Sequence, residues 1–214
     1  MGDVKNYIEN HREDFDKGIL TKENIVKNPF DFFNQWLNDA IEQEVKEPYA
    51  FHLATSVDGI PQNRVLYLRG LEEEGYIFYT NYDGNKGNEL AKNPNVSMNF
   101  FWAELERQVR ITGVAQKVDE KISDEYFASR PRKSQLGAWA SQQSKELDDY
   151  SLLEERLEMF DKKFKENVPR PPHWGGYIVT PKSFEFWQGR PSRLHDRFLY
   201  EQNDSEWIIK RLNP

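Results

Sequence analysis

The 214-residue chain contains no cysteine. That absence excludes disulfide frameworks, thiolate nucleophiles, iron–sulfur clusters and every zinc site that needs sulfur. Histidine is scarce: His11, His52, His173 and His195 lie too far apart in sequence to suggest a histidine-rich metal site. Long apolar runs are also missing, and a stretch such as Tyr49 to Ala54 is far short of the roughly 20 residues that span a bilayer. The first residues, Met1-Gly2-Asp3-Val4-Lys5-Asn6, lack a basic segment followed by an apolar one, and Asn6 stands where a myristoylation motif needs Ser or Thr. A cytoplasmic chain without a membrane partner is expected. Positive charge is in deficit, with 29 Lys plus Arg against 36 Asp plus Glu and a net charge of -7. Such a balance argues against general adhesion to nucleic acid or anionic lipid, since both attract long-range positive fields. G-x-G-x-x-G, Walker, G-x-S-x-G and H-E-x-x-H patterns are absent as well. A bound phosphate would have to be held by side chains.

What the chain has is aromatic surface: six Trp, ten Tyr and 14 Phe, 14% of residues. Most of these are expected to fill the core and half-bury on strands, and a flat ligand or a large interface could use the surplus. Residues 1–28 are polar with weak periodicity and read as a flexible arm, partly helical or disordered until it meets a partner surface. Residues 29–214 read as a single domain. Asn28 is the expected N-cap of a helix with Pro29 at its first position, and Phe30, Phe33, Leu37, Ala40 and Ile41 recur on one face. From Tyr49 the pattern turns extended, with a hairpin at Asp58-Gly59 between Tyr49–Ser56 and Gln62–Leu68, followed by Gly75–Asn81. A short helix near Lys86–Lys92 precedes strands at Val96–Ala103 and Glu106–Val118, and in the latter apolar Val109 and Ile111 alternate with polar neighbours. Residues 119–167 read as helical, with Ser151 and Glu154 as a capping box and Leu153, Leu157, Phe160 and Phe164 at helical spacing. Short strands are then expected at Gly176–Thr180, Ser183–Gln188, Arg197–Glu201 and Trp207–Arg211. Neighbouring strands without regular βα alternation imply an α+β fold, a mainly antiparallel barrel with peripheral helices.

Cations gather beside strand ends and turns: Arg64 in a strand, Lys86 after Tyr79-Thr80-Asn81, and the knot Arg130-Pro131-Arg132-Lys133-Ser134. Singly, each reads as a solvated surface charge. Together with Ser134 and the hydroxyls of Tyr79 and Thr80 they supply what phosphate oxygens need, fixed charge and short donors. The densest stretch, Phe184 to Arg197, places a Trp, three Arg, a His and an Asp in a strand-turn-strand segment. Its ionisable groups from Arg193 to Arg197 are costly to align unless a ligand or partner pairs them. His195 and Asp196 do not read as a hydrolase dyad, because adjacent residues on a strand face opposite ways.

The sequence resembles the pyridoxamine 5'-phosphate oxidases, also called pyridoxine 5'-phosphate oxidases, from about Arg12 to Pro214. The resemblance rests on E-F-W-Q-G with R-L-H-D-R-F at 185–198, S-R-P-R-x-S-Q-x-G-A-W-A-S at 129–141, and L-E-R-Q-V at 105–109. It implies an FMN-binding split β-barrel, a homodimer with FMN at the subunit interface, and a reaction that converts pyridoxamine or pyridoxine 5'-phosphate to pyridoxal 5'-phosphate. Dioxygen would reoxidise the flavin to give hydrogen peroxide. On this resemblance Arg64, Val65, Leu66, Tyr79, Thr80, Lys86, Gln108, Gln143, Ser144, Trp187 and Arg197 bind FMN. Arg12, Arg69, Tyr126, Arg130 and Ser134 bind the substrate, and Arg193 and His195 are the catalytic pair facing its ring. Two dianionic phosphates need two cationic cradles, and the chain has two.

Three positions depart from the family pattern: Arg69 where Lys is common, Asn85 where a second cation usually precedes Lys86, and Phe15 where a Tyr is common after Arg12. Arg for Lys keeps charge but changes geometry, Asn85 removes a charge near the flavin phosphate, and Phe15 removes a hydroxyl that could cover the substrate. Two other readings stand beside the oxidase: a split-barrel flavoprotein of another class, such as a flavin reductase, and a non-enzymatic module that binds pyridoxal 5'-phosphate or FMN. The ring-facing pair speaks against the reductase, whereas Asn85 and Phe15 leave the binding module open.

Overall fold

The structure, a computed structural model, describes residues 2–11, 14–204 and 206–214. In chain order the first elements are α1 (Gly2–Asn10), α2 (Pro29–Glu42), β1 (Ala50–Val57), β2 (Ile60–Tyr67), β3 (Gly70–Glu72), β4 (Gly75–Asn81) and α3 (Asn85–Lys92). There follow β5 (Asn95–Trp102), β6 (Arg107–Lys117), α4 (Glu120–Ser129), α5 (Arg132–Ala140), α6 (Ser151–Lys163), β7 (Trp174–Gln188), β8 (Asp196–Asn203) and β9 (Glu206–Leu212). The chain divides into two compact units, one of Met1–Pro48, Asn99–Arg110 and Ser183–Pro214, the other of Tyr49–Met98 and Ile111–Lys182.

Along the main path of the nine-stranded sheet the strand order is β2-β1-β5-β6-β7-β4-β3. The path has two ends, so the sheet is not a closed barrel. The pairs β1–β2, β3–β4 and β4–β7 are antiparallel. The first hairpin turns at Asp58-Gly59 with Val57 opposite Ile60, and both turn residues have positive φ, 52° and 76°. A two-residue loop of that hand matches the twist of the strands, which is why Asp-Gly marks it. Strand β4 is buried along nearly its whole length, and a second cluster of Phe127, Leu136, Val168 and Trp174 packs under Leu157, Phe160 and Phe164. Helix α6 does not use the expected capping box. Tyr150 occupies the cap position in helical conformation, and the Asp149 carboxylate accepts from the Ser151 amide at 2.7 Å. An Asp one residue earlier offers the orphan amide a charged acceptor that the Ser hydroxyl cannot match.

In the smaller unit Asn28 caps α2 as expected, its side chain accepting from the Phe30 amide at 2.8 Å, with Pro29 at the first turn. The buried face differs from the expected one. Phe32, Phe33, Trp36, Leu37 and Ala40 are buried while Ile41 is 56% exposed. Phe32 and Trp36 both pack on Phe186 of β7, and Phe33 packs on Phe100 of β5. The stripe is thus turned about one residue from the periodic reading, because bulky rings on the sheet decide which side faces in. Strands β7, β8 and β9 pair antiparallel. The two strands expected at 176–180 and 183–188 are one strand: β4 pairs with β7 as far as Val179, β8 pairs from Ser183, and Pro181 lies between these two ladders. On that edge of β7 neither ladder includes Pro181, so its missing N–H costs no bond to β4 or β8. Leu20 is buried, its amide donates to Asp196, and Tyr200 Oη donates to the Val26 carbonyl, so the chain before α2 is held to β8.

Among the described residues no helix is long and apolar enough to cross a membrane, and no group of His, Asp and Glu is arranged to hold a metal ion.

Candidate functional site

The larger unit contains a cavity of about 530 Å³ whose wall includes Val65, Leu66, Tyr67, Arg69, Tyr79, Thr80, Lys86, Tyr126, Arg130, Ser134, Gln143 and Trp174. It forms where the C-terminal ends of β2 and β4 meet α3, α4 and α5. One wall is a stack of parallel rings: Tyr79 lies 3.7 Å from Tyr126 and 5.6 Å from Trp174, with interplanar angles of 6° and 9°. Burial, then the neighbouring Tyr126 hydroxyl, raises the Tyr79 phenol to about 12, so it stays a neutral donor. Arg130 stands over the Trp174 ring at 4.5 Å, and its buried Nη1 has no hydrogen-bond partner. Burial lowers the Arg130 pKa from its ordinary value. Arg69 lies 5.1 Å from the ring centres of both Tyr49 and Tyr67.

On another wall, Lys86 is 9% exposed, and its Nζ donates to Thr80 Oγ1 at 2.8 Å and Gln143 Oε1 at 2.6 Å. Burial, then the charge of Arg64, lowers its pKa. Both partners are neutral, and among the described residues no carboxylate is ion-paired with this ammonium. Glu89 acts on it electrostatically without pairing with it. A buried cation with no carboxylate in contact is costly, and an anion placed beside it would offset that cost. Arg64 is bonded differently. Its guanidinium donates to Thr55 Oγ1 and to Glu89 Oε2, each at 2.6 Å, and it does not line the cavity. Asn85 opens α3, and its amide donates to Ser144 Oγ at 3.2 Å. Ser144 holds positive φ, 68°.

The residues expected to face the substrate ring lie in the smaller unit. After β7 the chain turns through Pro191–Arg193, with Ser192 and Arg193 both in the left-handed region at φ 58° and 61°. Two such residues in succession cost about 1 kcal/mol or more each. The Ser192 amide donates to Asp14 Oδ1 at 3.0 Å and the Leu194 amide to the Pro191 carbonyl at 3.1 Å, which hold the turn. Arg193 is exposed. The Arg190 amide donates to His195 Nδ1 at 3.2 Å, which requires a lone pair there and leaves the neutral ring its proton on Nε2. Burial, then Arg193, lowers the His195 pKa from its ordinary value. Trp187 lies 4.6 Å from the His195 ring, and Phe15 meets both rings edge-on at 5.7 and 5.5 Å. Asp196 points away from this cluster: it is buried and accepts from the Leu20 amide, Arg190 and Arg211. His195 lies just before β8, which begins at Asp196, so the two side chains diverge at the entry to the strand rather than by alternation along it.

Arg197 donates to Glu185 Oε1 at 2.9 Å and to the Asn213 carbonyl at 3.0 Å. Arg110 also bonds Glu185. Burial alone would raise the Glu185 pKa, yet the hydrogen bonds from Arg197 and Arg110 outweigh it and the carboxyl titrates below its ordinary range. Gln108 is half-buried on β6 of the same unit. Arg12 lies outside the described residues.

Of the residues expected to bind ligands, the structure therefore gathers Val65, Leu66, Arg69, Tyr79, Thr80, Lys86, Tyr126, Arg130, Ser134 and Gln143 around one cavity. Trp187 and His195 touch each other in the other unit. Arg64 and Arg197 instead face carboxylates, Glu89 and Glu185. The sequence reading missed Trp174, Tyr67 and Tyr49. Tyr49 and Tyr67 read as ordinary strand aromatics and Trp174 stood just before an expected strand, and no local signal separates an aromatic that seats an arginine from one that fills a core.

A model of the family described as pyridoxamine 5'-phosphate oxidase matches residues 37–162, and the pyridoxine 5'-phosphate oxidase C-terminal dimerisation region matches residues 174–214. The pyridoxine/pyridoxamine 5'-phosphate oxidase of Chromobacterium violaceum is 51% identical over 205 residues, covering 95% of this chain and 96% of that protein. The protein of that description from Haemophilus ducreyi is 47% identical over 207 residues, covering 97% and 99%. Among solved structures, PhzG from Burkholderia lata 383, in complex with tetrahydrophenazine-1-carboxylic acid, superposes with a TM-score of 0.86 at 31% identity, covering 92% of this chain and 98% of that one. A pyridoxamine 5'-phosphate oxidase-related, FMN binding protein from Nostoc punctiforme shares the fold, with a TM-score of 0.70 at 17% identity, covering 89% and 100%. With both its central and its C-terminal portions matched and relatives aligned from end to end, the chain belongs to the pyridoxamine 5'-phosphate oxidase family.

Proposed function

We propose that the protein is an FMN-dependent oxidase that converts pyridoxamine 5'-phosphate or pyridoxine 5'-phosphate to pyridoxal 5'-phosphate, working as a homodimer. The observation that carries this reading is Arg130, a half-buried guanidinium with an unsatisfied Nη1 in a cavity that also holds Arg69 and Ser134. A buried donor without a partner is rare, and a phosphate oxygen satisfies it. The end-to-end match to relatives named for this reaction supports the same reading.

FMN is the cofactor that family membership implies, and the donor set fits it. Its phosphate needs fixed positive charge with several donors, and Lys86, with Thr80 and Gln143 around its ammonium, supplies a buried charge that is in ion-pair contact with no carboxylate among the described residues. Val65, Leu66 and Ser144 of the same unit would line the rest, with Arg64 lending charge from beside Glu89, while Gln108, Trp187 and Arg197, which the resemblance also assigns to FMN, lie in the smaller unit. When bound, FMN supplies the acceptor for a hydride equivalent, which no side chain here can provide. In the amine reaction a CH2–NH2 group becomes an aldehyde while dioxygen becomes hydrogen peroxide, and water supplies the aldehyde oxygen as ammonia leaves. For the alcohol, CH2–OH becomes the aldehyde directly.

The chain's own residues bind and orient. Arg69, Arg130, Tyr126 and Ser134 take the substrate phosphate, with Arg12 as a further contact. Gripped equally before and during reaction, that group lowers KM more than it raises kcat. Arg193, projected by its left-handed turn, lies over the pyridine ring as a planar cation. His195 donates from Nε2 to a ring substituent, since its Nδ1 is already engaged. Phe15 and Trp187 pack around that imidazole and keep water from its face.

The test is anaerobic: pyridoxamine 5'-phosphate added to the yellow protein should bleach the flavin, and air should restore it. A yellow protein that does not bleach with either phosphorylated substrate is not this oxidase. Bleaching by a nicotinamide donor instead would make it a reductase.

A further inference from the structure

The arginines of this chain divide by what holds them. Arg64, Arg107, Arg170, Arg190 and Arg197 each face a carboxylate between 2.6 and 3.3 Å away. Arg69 and Arg130, the two that line the cavity, form no ion pair among the described residues and lie on aromatic rings instead. Acids are not lacking nearby: Glu72 and Glu125 both act electrostatically on Tyr79 in the same wall.

The physical consequence differs between the two kinds of partner. A carboxylate orients a guanidinium by accepting its N–H groups, and so it consumes the donors and cancels the charge that an incoming dianion would use. An aromatic face attracts the cation through its quadrupole and leaves every in-plane N–H free. Arg130 shows the result, with Nη1 buried and unbonded while its plane is supported by Trp174 at 4.5 Å and Phe127 at 5.6 Å. Arg69 shares the arrangement between Tyr49 and Tyr67, whose own rings meet edge to face at 5.4 Å. A lysine can also sit over a ring, as Lys117 does over Tyr82 at 4.1 Å, but it has no planar guanidinium to lay against the face.

We infer that Trp174, Tyr49 and Tyr67 are positioning residues for the substrate phosphate: neutral seats that hold Arg130 and Arg69 in place while keeping their charge and donors available to a phosphate monoester dianion. The inference rests on the proposed phosphate role of those two arginines. The same chemistry could serve the phosphate of FMN rather than that of the substrate, and the experiment separates the two.

The FMN-loaded enzyme is assayed with pyridoxamine 5'-phosphate, and pyridoxal 5'-phosphate and FMN binding are titrated in parallel. Trp174→Leu should raise KM and weaken pyridoxal 5'-phosphate binding about tenfold, the size of a desolvated cation–π contact, with the loss falling on KM rather than kcat. Trp174→Phe should restore most of it. In an Arg130→Ala background Trp174→Leu should add nothing, since the seat then has no occupant. Trp174 is a core residue, so the second arm uses exposed positions: Tyr49→Leu with Tyr67→Leu should raise KM in the parent and not in an Arg69→Ala background. If both arginine variants raise KM while neither set of aromatic variants does, the arginines bind the phosphate without their seats and the inference is overturned. If the arginine variants leave KM and pyridoxal 5'-phosphate binding unchanged, or weaken FMN instead, the phosphate assignment itself fails and takes the inference with it.

Discussion

The cavity of the larger unit and the strand-turn-strand of the smaller unit are both rich in arginine, yet they use it in opposite ways. In the smaller unit Arg190 and Arg211 close on buried Asp196, and Arg110 and Arg197 on buried Glu185. Those carboxylates are completed by the fold, so the ion pairs tie β6 to β7, β7 to β8 and β8 to β9, and the Leu20 amide on Asp196 adds the segment before α2. In the larger unit Lys86 and Arg130 keep charge with neutral partners, and Arg130 keeps an empty donor. Charge satisfied by the fold stabilises it, whereas charge left unsatisfied is available to a ligand. Removing a member of the first kind should cost stability, and removing one of the second kind should cost binding.

The largest effect expected is on stability at Asp196. Asp196→Ala leaves Arg190, Arg211 and the Leu20 amide without their acceptor. The loss should be about 3 kcal/mol, toward the lower end for a broken buried pair because both arginines can reach water. Urea unfolding measures it, and a midpoint shift worth well under 1 kcal/mol would erase the contrast between the units.

Close behind is Arg193→Ala, which should leave the protein yellow yet lower the rate of anaerobic flavin reduction about 100-fold, as expected when the reacting carbon is no longer held in line. Stopped-flow mixing with saturating pyridoxamine 5'-phosphate reads this directly. Loss of flavin from this variant would mean that the turn serves the cofactor and not the substrate.

Arg130→Ala should behave as the mirror of Asp196→Ala. Deleting an unsatisfied buried cation should change folding stability by no more than about 1 kcal/mol, while losing charge-assisted bonds to a dianion should raise KM by about 10- to 100-fold. A stability loss equal to that at Asp196 would show that Arg130 is a structural residue.

The smallest effects concern Asn85 and His195. Asn85→Arg, at the exposed start of α3 beside Ser144, should tighten FMN by about 1 kcal/mol in an equilibrium titration. For His195 the folded-state pKa lies below the ordinary histidine value, so the folded protein binds fewer protons than the unfolded one as pH falls through that value. Its contribution to stability is therefore intact above the ordinary value and declines as pH falls toward the folded one. The acid limb of the kcat profile should fall in the same direction, because an imidazolium cannot accept the Arg190 amide. A limb unchanged in His195→Asn would assign it to another group.

Local signals in the sequence were read well where the physics is local. Asp58-Gly59 adopts the turn that its positive φ values allow, and Asn28 with Pro29 opens α2, since a two-residue loop and a helix cap involve only neighbours. Readings failed where neighbours compete or where the partner is remote. Asp149 displaced the Ser151 capping box by being the stronger acceptor two positions earlier. Phe32 and Trp36 displaced Ile41 from the buried face because Phe186 waits on a distant strand. Pro181 looked like a break between strands and is instead the point where β7 exchanges one ladder for another.

The same division holds for the site. Family membership and the antiparallel sheet were legible in the sequence, and the basic knot at 130–134 and the stretch at 185–198, which carry their chemistry in consecutive side chains, supplied the residues proposed to face ligands. Only the tertiary structure decided which cations are free to act. Arg64 and Arg130 are equivalent letters in the sequence, but one meets Glu89 from a helix 25 residues on, and the other meets the face of Trp174 from a strand 44 residues on. A guanidinium's availability depends on what folds against it, and that contact is made by residues too far along the chain for any local pattern to record.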